Sequence, residues 1–251
     1  MDNRKIKQVV KDLRFLKSQL EKQLNLLTDL LEDKQQPSKY CYAISAGHGG
    51  IDPDTGKYVT YPSKFKIHDN LNLHIGNMFC EGVFNRIIAE KLIKRMDEVG
   101  LTYKRFYHDY KDWSLRYKSA QINEHHRNRQ KCILFELHSN ASSQGKARGF
   151  CVFTSKGQTS SDRIASELWH EVKTAFENVS GFKLLKQTYN DNDVDYEAGF
   201  WMVRNTACPA ILPEFLFFDN REDVQLLMNE EIQDIYVECL LHTALWCEQN
   251  I

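Results

Sequence analysis

Four polar residues, His48, Glu81, His138 and Glu214, stand where an apolar run ends or a helical run begins. Two imidazoles and one carboxylate make a three-ligand zinc set that leaves the fourth tetrahedral position to water. A second carboxylate outside that set is then free to act as general base. The chemistry these types point to is metal-assisted hydrolysis of an amide. An imidazole on a strand is also an ordinary hydrogen-bonded structural group, and there are nine histidines and no HExxH helix. The residues around each candidate therefore carry the weight.

The elements that must position these groups alternate in type. An apolar strand over Tyr40–Ser45 runs into a glycine-rich turn that holds His48. Residues 51–80 are turn-rich and aperiodic. From Glu81 to Gly100 the apolar residues Val83, Phe84, Ile87, Ile88, Leu92 and Met96 recur at helical spacing, with Glu81 in the first turn or at the cap. A strand around Leu101–Phe106 and a helix across Ser114–Arg127 follow, then the apolar run KCILFELHSN, which ends in His138, Ser139 and Asn140. Residues 149–155 read as strand, and residues 160–179 as a helix capped by Ser160 or Ser161. CPAILPEFLFF reads as a buried strand ending near Glu214, and the last segment, 221–247, reads as helical. Strands alternating with helices of this length predict an α/β fold, with a mixed, mostly parallel sheet and helices on both faces. In such a sheet, polar strand ends gather along one edge.

Ahead of that domain, residues 4–34 place Ile6, Val9, Leu13, Leu16, Leu20, Leu27 and Leu30 on an a/d seam interrupted by Gln23. This predicts a long N-terminal coiled-coil-like helix over 1–37, ended by Pro37. The catalytic domain would then span 38–251. The seam would serve self-association into a homo-oligomer or docking to a larger assembly, or would pack on the chain's own domain.

Composition removes several classes. With 33 basic and 34 acidic residues the chain has no bulk charge for capturing nucleic acid. Its mean hydropathy of -0.53 and interleaved charges leave no run long enough to span a membrane. The N-terminus shows no signal-peptide pattern, and the seven cysteines form no CxxC pair and read as reduced core thiols. The expectation is a chain made in the cytoplasm.

The strings flanking the four groups resemble the zinc-dependent N-acetylmuramoyl-L-alanine amidases (Amidase_3), over roughly residues 40–248. The first ligand of that family sits in a turn like Gly47-His48-Gly49-Gly50. The second is a Glu opening a helix, with Asn and Ala further on, as at Glu81, Asn85 and Ala89. Asp112, Leu115, Arg116, Ala120 and Asn123 match an intervening stretch. The third ligand ends a strand, as in His138-Ser139-Asn140, before a start like Ala147-Arg148-Gly149-Phe150. The catalytic Glu follows a segment like Arg204 to Glu214, then Phe217, Asn220, Leu226 and Leu227.

The resemblance implies a Zn2+ cofactor on His48, Glu81 and His138, with Glu214 as proton carrier. It implies cleavage of the bond between the muramoyl lactyl group and L-alanine in peptidoglycan. Asn140 and Arg204 are candidate substrate contacts. Ser45-Ala46 stands where the family has Asp-Pro, removing a carboxylate that would orient His48, and the span between His48 and Glu81 is long. Tyr58, Tyr61, Phe65, His68 and His74 in that span are candidates for a substrate wall. Glu136, on the same strand face as His138, is expected as a partner behind the ligands, as an acid that substitutes for the missing one, or as a simple buried hydrogen-bonded carboxylate. Together with the unsignalled N-terminus, the resemblance suggests a phage lysin, released after cytoplasmic accumulation or carried on a phage particle through residues 4–34.

Three other readings compete. Cys80, near a helix N-terminus, could be a thiolate nucleophile. A zinc carboxypeptidase-like peptidase shares the ligand types but takes two of them from one HxxE turn, and position 51 is Ile. A catalytically inactive amidase-fold scaffold would keep the fold and use residues 4–34 to join partners.

Overall fold

The computed structural model describes residues 17, 19–22, 38–142, 144–187 and 193–251. The N-terminal seam over 4–34 falls almost wholly outside the described residues. The compact unit described below runs from Ser38 to Ile251.

That unit is built on strands β1 (Cys41–Ala46), β2 (Phe65–Ile67), β3 (Met78–Cys80), β4 (Tyr103–Arg105), β5 (Cys132–Asn140), β6 (Cys151–Thr154), β7 (Tyr196–Glu197) and β8 (Ala210–Phe217). Its helices are α1 (Glu81–Val99), α2 (Leu115–Asn128), α3 (Ser160–Ala175), α4 (Trp201–Asn205), α5 (Arg221–Leu227) and α6 (Glu230–Asn250). Six strands form one mixed sheet in the order β4-β1-β5-β8-β6-β7. The first four run parallel, and β6 pairs antiparallel with β8. The expected α/β architecture is therefore the observed one.

Alternation along β1 shows how the sheet is covered. Tyr42, Ile44 and Ala46 enter a large cluster with residues of α1, α3 and α6, whereas Cys41 and Ala43 enter a smaller one with Ile122 of α2 and Met202 and Val203 of α4. Successive side chains of a strand point to opposite faces, so the sheet is sandwiched between helices. β1 is buried along its whole length, as a parallel strand covered on both sides must be. No helix among the described residues is long and apolar enough to cross a membrane.

Several boundaries differ from expectation for local reasons. The segment read as helical over 221–247 is two helices, because the Asn229 side chain accepts hydrogen bonds from the Glu231 and Ile232 amides and caps a new start. The cap of α3 is Thr159, not Ser160 or Ser161, in a reciprocal capping box with Asp162. The aperiodic segment 51–80 contains a hairpin, β2 paired antiparallel with β3. All seven cysteines are buried free thiols, as read from composition.

Asp195, just before β7, is fully buried and accepts a hydrogen bond from Thr154 of β6. Burial, opposed by that bond and reinforced by Asp193 and Asp162, pushes its carboxyl up to about 7. A raised carboxyl favours folding while protonated, so its contribution is full below the ordinary Asp range near 4 and is lost as pH rises through about 7. Asp195→Asn should therefore gain stability over the parent progressively from pH 4 to 7, and no further above it. Urea titrations at stepped pH check this, and a pH-independent difference would refute it.

Candidate active site

The strand ends bring the four groups together. β1 leads into the turn at His48, β5 carries His138, and β8 carries Glu214 as the direct register partner of His138. Glu81 opens α1 directly after β3, with Cys80 as an N-cap that makes no side-chain bond. One cavity of about 340 Å³ contains all four, lined also by Lys64, Asn140 and the start of α4.

The turn is shaped by close approach. A Cβ on Gly47 would lie 2.2 Å from the His138 ring, and one on Gly82 would lie 2.0 Å from the Gly49 carbonyl oxygen. Only glycine lets the turn, the imidazole and the first turn of α1 meet at these separations. His48 itself has φ +62°, a left-handed conformation that non-glycine residues seldom adopt and that is found at functional sites. Asn85 holds the turn by donating to the Gly47 carbonyl at 3.1 Å.

Within the cavity the fully buried Glu81 carboxylate bridges the two imidazoles. Its Oε1 is 2.8 Å from His138 Nδ1, and its Oε2 is 3.3 Å from His48 Nε2. The rings stand edge to face, with centroids 5.1 Å apart. One donor atom from each of the three residues lies within 4.8 Å of the others. His48 Nε2, Glu81 Oε2 and Glu214 Oε2 are buried without hydrogen-bond partners.

The electrostatics call for a cation at this point. Burial alone would raise Glu81, yet the hydrogen bonds and charges of His138 and His48 hold it well below the usual carboxylate range. His138 is pushed the other way. Burial lowers it, and the Glu136 and Glu81 carboxylates outweigh burial and raise it to about 10. A proton is thus held where two imidazoles and a carboxylate converge, and two nitrogens and an oxygen at this spacing suit a zinc ion. Glu214 differs from Glu81. Burial, opposed by His138 and helped by the Glu81 charge, raises it to about 8.

Behind His138 lies a pair that sequence reasoning half found. Glu136, with no exposed surface, is 3.5 Å from His138 Nε2 and 2.6 Å from the buried Lys118 ammonium. Ser45 is its register partner on β1 and accepts from Lys118 at 3.1 Å. A carboxylate is therefore present where Ser45 provides none, one strand over, and it faces His138 instead of His48. Lys118 was not foreseen, because on α2 it reads as a solvated lysine. Replacing Lys118 by Met should strand the Glu136 charge and lower stability by about 3–5 kcal/mol. Urea denaturation measures this, and recovery in a Lys118→Met, Glu136→Leu double variant would confirm the pairing as the cause.

Other expectations are placed as follows. Asn140 lines the cavity. Arg204 does not; α4 turns Trp201 and Met202 to the cavity, and Arg204, a turn further on, is exposed. Of the segment 51–80, Lys64 reaches the cavity, its ammonium 3.8 Å from Glu81 Oε2. The aromatic and histidine residues named there mostly brace the segment. Tyr58 accepts from the Gly82 amide, His68 meets the Phe218 carbonyl, His74 accepts from the Cys80 amide, and Tyr61 stacks on Phe65. Cys80 is buried, and burial pushes its thiol up to about 12, which removes it as a thiolate nucleophile.

The family model described as N-acetylmuramoyl-L-alanine amidase, Amidase_3, matches residues 43–242. No curated protein matches the sequence. Among solved structures, the chain is similar to an N-acetylmuramoyl-L-alanine amidase from Clostridium difficile 630, at 21% identity and a TM-score of 0.63, covering 85% of this chain and 100% of that one. An amidase of Nostoc punctiforme matches at 18% identity and a TM-score of 0.62, covering 86% and 100%. The catalytic domain of an endolysin targeting Clostridium difficile matches at 16% identity and a TM-score of 0.54, covering 82% and 97%. At such identities these structures speak for the fold.

Proposed function

The chain belongs to the zinc-dependent N-acetylmuramoyl-L-alanine amidase family, Amidase_3, and from this premise we infer which of its residues carry out the hydrolysis of peptidoglycan. His48, Glu81 and His138 hold the zinc ion, and Glu214 moves the proton. The observation that supports this most is the convergence of three ligand-type atoms within 4.8 Å in a cavity that also contains Glu214.

When bound, zinc supplies Lewis-acid chemistry, polarising the scissile carbonyl and acidifying a water. The carboxylate of Glu214 takes the proton of that water as its oxygen adds to the lactyl carbonyl carbon. Glu214 then delivers the proton to the alanine nitrogen as the carbon–nitrogen bond breaks, leaving a free amine and a lactyl carboxylic acid that gives its remaining proton to solvent. The Glu136 carboxylate, 3.5 Å from His138 Nε2, attracts that side of the ring and so keeps Nδ1 turned toward Glu81, the arrangement by which an outer carboxylate orients a histidine ligand. Lys118 holds Glu136 in its charged form. Asn140, at the cavity wall, contacts substrate.

The test is release of free peptide stems from purified peptidoglycan, read by mass spectrometry, for protein as isolated, chelator-treated and zinc-restored. Cleavage between lactyl and alanine should vanish with chelation and return with zinc. Zinc-independent cleavage, or stoichiometric zinc without cleavage, would overturn the assignment.

A further inference from the structure

At the opposite end of the parallel strands from the hydrolytic cavity, three more ligand-type side chains converge. Cys41 opens β1 and Cys132 opens β5, and the two are direct register partners, so their thiols project from the same face of adjacent strands. That face is covered by α2. Ile122 packs into the cluster that holds both cysteines, and His125, one turn later, reaches over them. The sulfurs and an imidazole nitrogen lie within 4.8 Å of one another, with Cys41 and Cys132 buried and His125 half-buried. Six residue steps separate Cys132 from His138 along β5, roughly 20 Å at ~3.3 Å per residue.

We propose that Cys41, Cys132 and His125 form a second metal site, suited to a thiophilic divalent cation such as Zn2+, independent of the hydrolytic centre.

Two thiolates and an imidazole are the soft and borderline donors that select zinc over magnesium or calcium. Bond lengths of ~2.3 Å to sulfur and ~2.0 Å to nitrogen put tetrahedral ligand atoms roughly 3.5–3.8 Å apart. Closing from within 4.8 Å to that spacing takes thiol and imidazole rotations and leaves the strands in place. The frame around the three groups is fixed. The Cys132 amide donates to His126 Nδ1 at 2.9 Å, which pins the last turn of α2 over the strand starts. The His125 ring is also held edge-on to Phe106, with centroids 6.1 Å apart.

Uptake of the cation would replace two contacts: the Cys132 thiol donates to the Gln130 carbonyl at 3.3 Å, and the Lys104 ammonium lies 3.4 Å from His125 Nδ1. The third donor, within 4.8 Å of both thiols, is what distinguishes a metal site from a thiol pair. The cation would tie β1, β5 and α2 together at the end of the sheet remote from catalysis.

Cobalt titration of the full-length, chelator-treated chain tests the proposal, with a phosphine reductant keeping thiols free. Two classes of bound Co2+ should appear, one of them with near-ultraviolet thiolate-to-cobalt charge transfer, which a His/Glu/His centre cannot produce. Cys41→Ser and Cys132→Ser should each abolish that absorption while zinc-restored amidase turnover stays at the parent level. His125→Gln, at a half-exposed helical position, should weaken cobalt binding at this site by roughly 10-fold or more. Absence of the thiolate band in the parent chain would overturn the proposal without reference to any variant's folding. A band that survives the double cysteine variant would overturn it as well. Turnover and thiolate band are separate readouts, so failure of this site and failure of the hydrolytic assignment are distinguishable.

Discussion

Exchanging Glu214 for Gln should leave a folded, zinc-competent protein whose turnover falls by about 10²–10⁴-fold. Gln preserves the shape of the side chain and removes its ability to take and return a proton. Glu81 Oε1 is engaged by His138 and Glu136 Oε1 by Lys118, and the second oxygen of each, like Glu214 Oε2, is buried without a hydrogen-bond partner. Burial raises it to about 8 before any metal enters, which marks a group able to hold a proton at neutral pH and, beside a dication, to release it. Glu214 lies outside the three-ligand set, so zinc content measured by atomic absorption should match the parent while stem release collapses. A Gln variant with parental turnover would remove Glu214 from the chemistry, and one that loses zinc would make it a ligand.

His138→Ala should instead empty the centre. In the proposed site its imidazole is one of three ligands, and both Glu81 and Glu136 lie against it. Loss of an outer partner of a metal ligand typically costs ~10–100-fold in affinity, and loss of the ligand itself should cost more. Bound zinc should fall far below one equivalent under dialysis, and stem release should fall with it. Gly47→Ala approaches the same imidazole sterically, since its new Cβ would lie 2.2 Å from the ring, and should displace the ligand without removing it. Stoichiometric zinc in His138→Ala would sink the ligand assignment, whereas zinc loss in both variants would locate the effect at the ring.

The two lesions separate the two functions of the cavity. Glu214→Gln should lose turnover with metal retained, and His138→Ala should lose turnover because metal is lost. Lys118→Met acts on the support beneath His138, and its principal effect should be on stability.

What was legible in the sequence was local. A period of two or 3.6 residues in apolar character marks the strands and helices, and polar residues at strand ends marked His48, Glu81, His138 and Glu214, because those ends gather on one edge of an α/β sheet. The resemblance of the flanking strings then attached an activity to them. Glu136 could be singled out as a carboxylate in an apolar strand, but its partner could not. Lys118 lies 18 residues away in sequence on another element, and a lysine in a helix reads as surface until α2 is laid on β5. Arg204 stands outside the cavity lining for the complementary reason, since the rotation of the short α4 decides which of its residues face the cavity. The break at Asn229 depends on a cap that apolar periodicity does not register.

The sequence by itself determined the alternation of elements and the family, and it singled out the four groups proposed for the chemistry, because strand-end polarity and flanking strings are properties of short stretches of chain. Only the tertiary structure decided that Ser45 and Glu136 share a register, that Lys118 neutralises a carboxylate behind His138, and that Cys41, Cys132 and His125 meet. Those juxtapositions come from strand order and from helices crossing the sheet, which join residues far apart in sequence. No local periodicity encodes which strand will lie beside which.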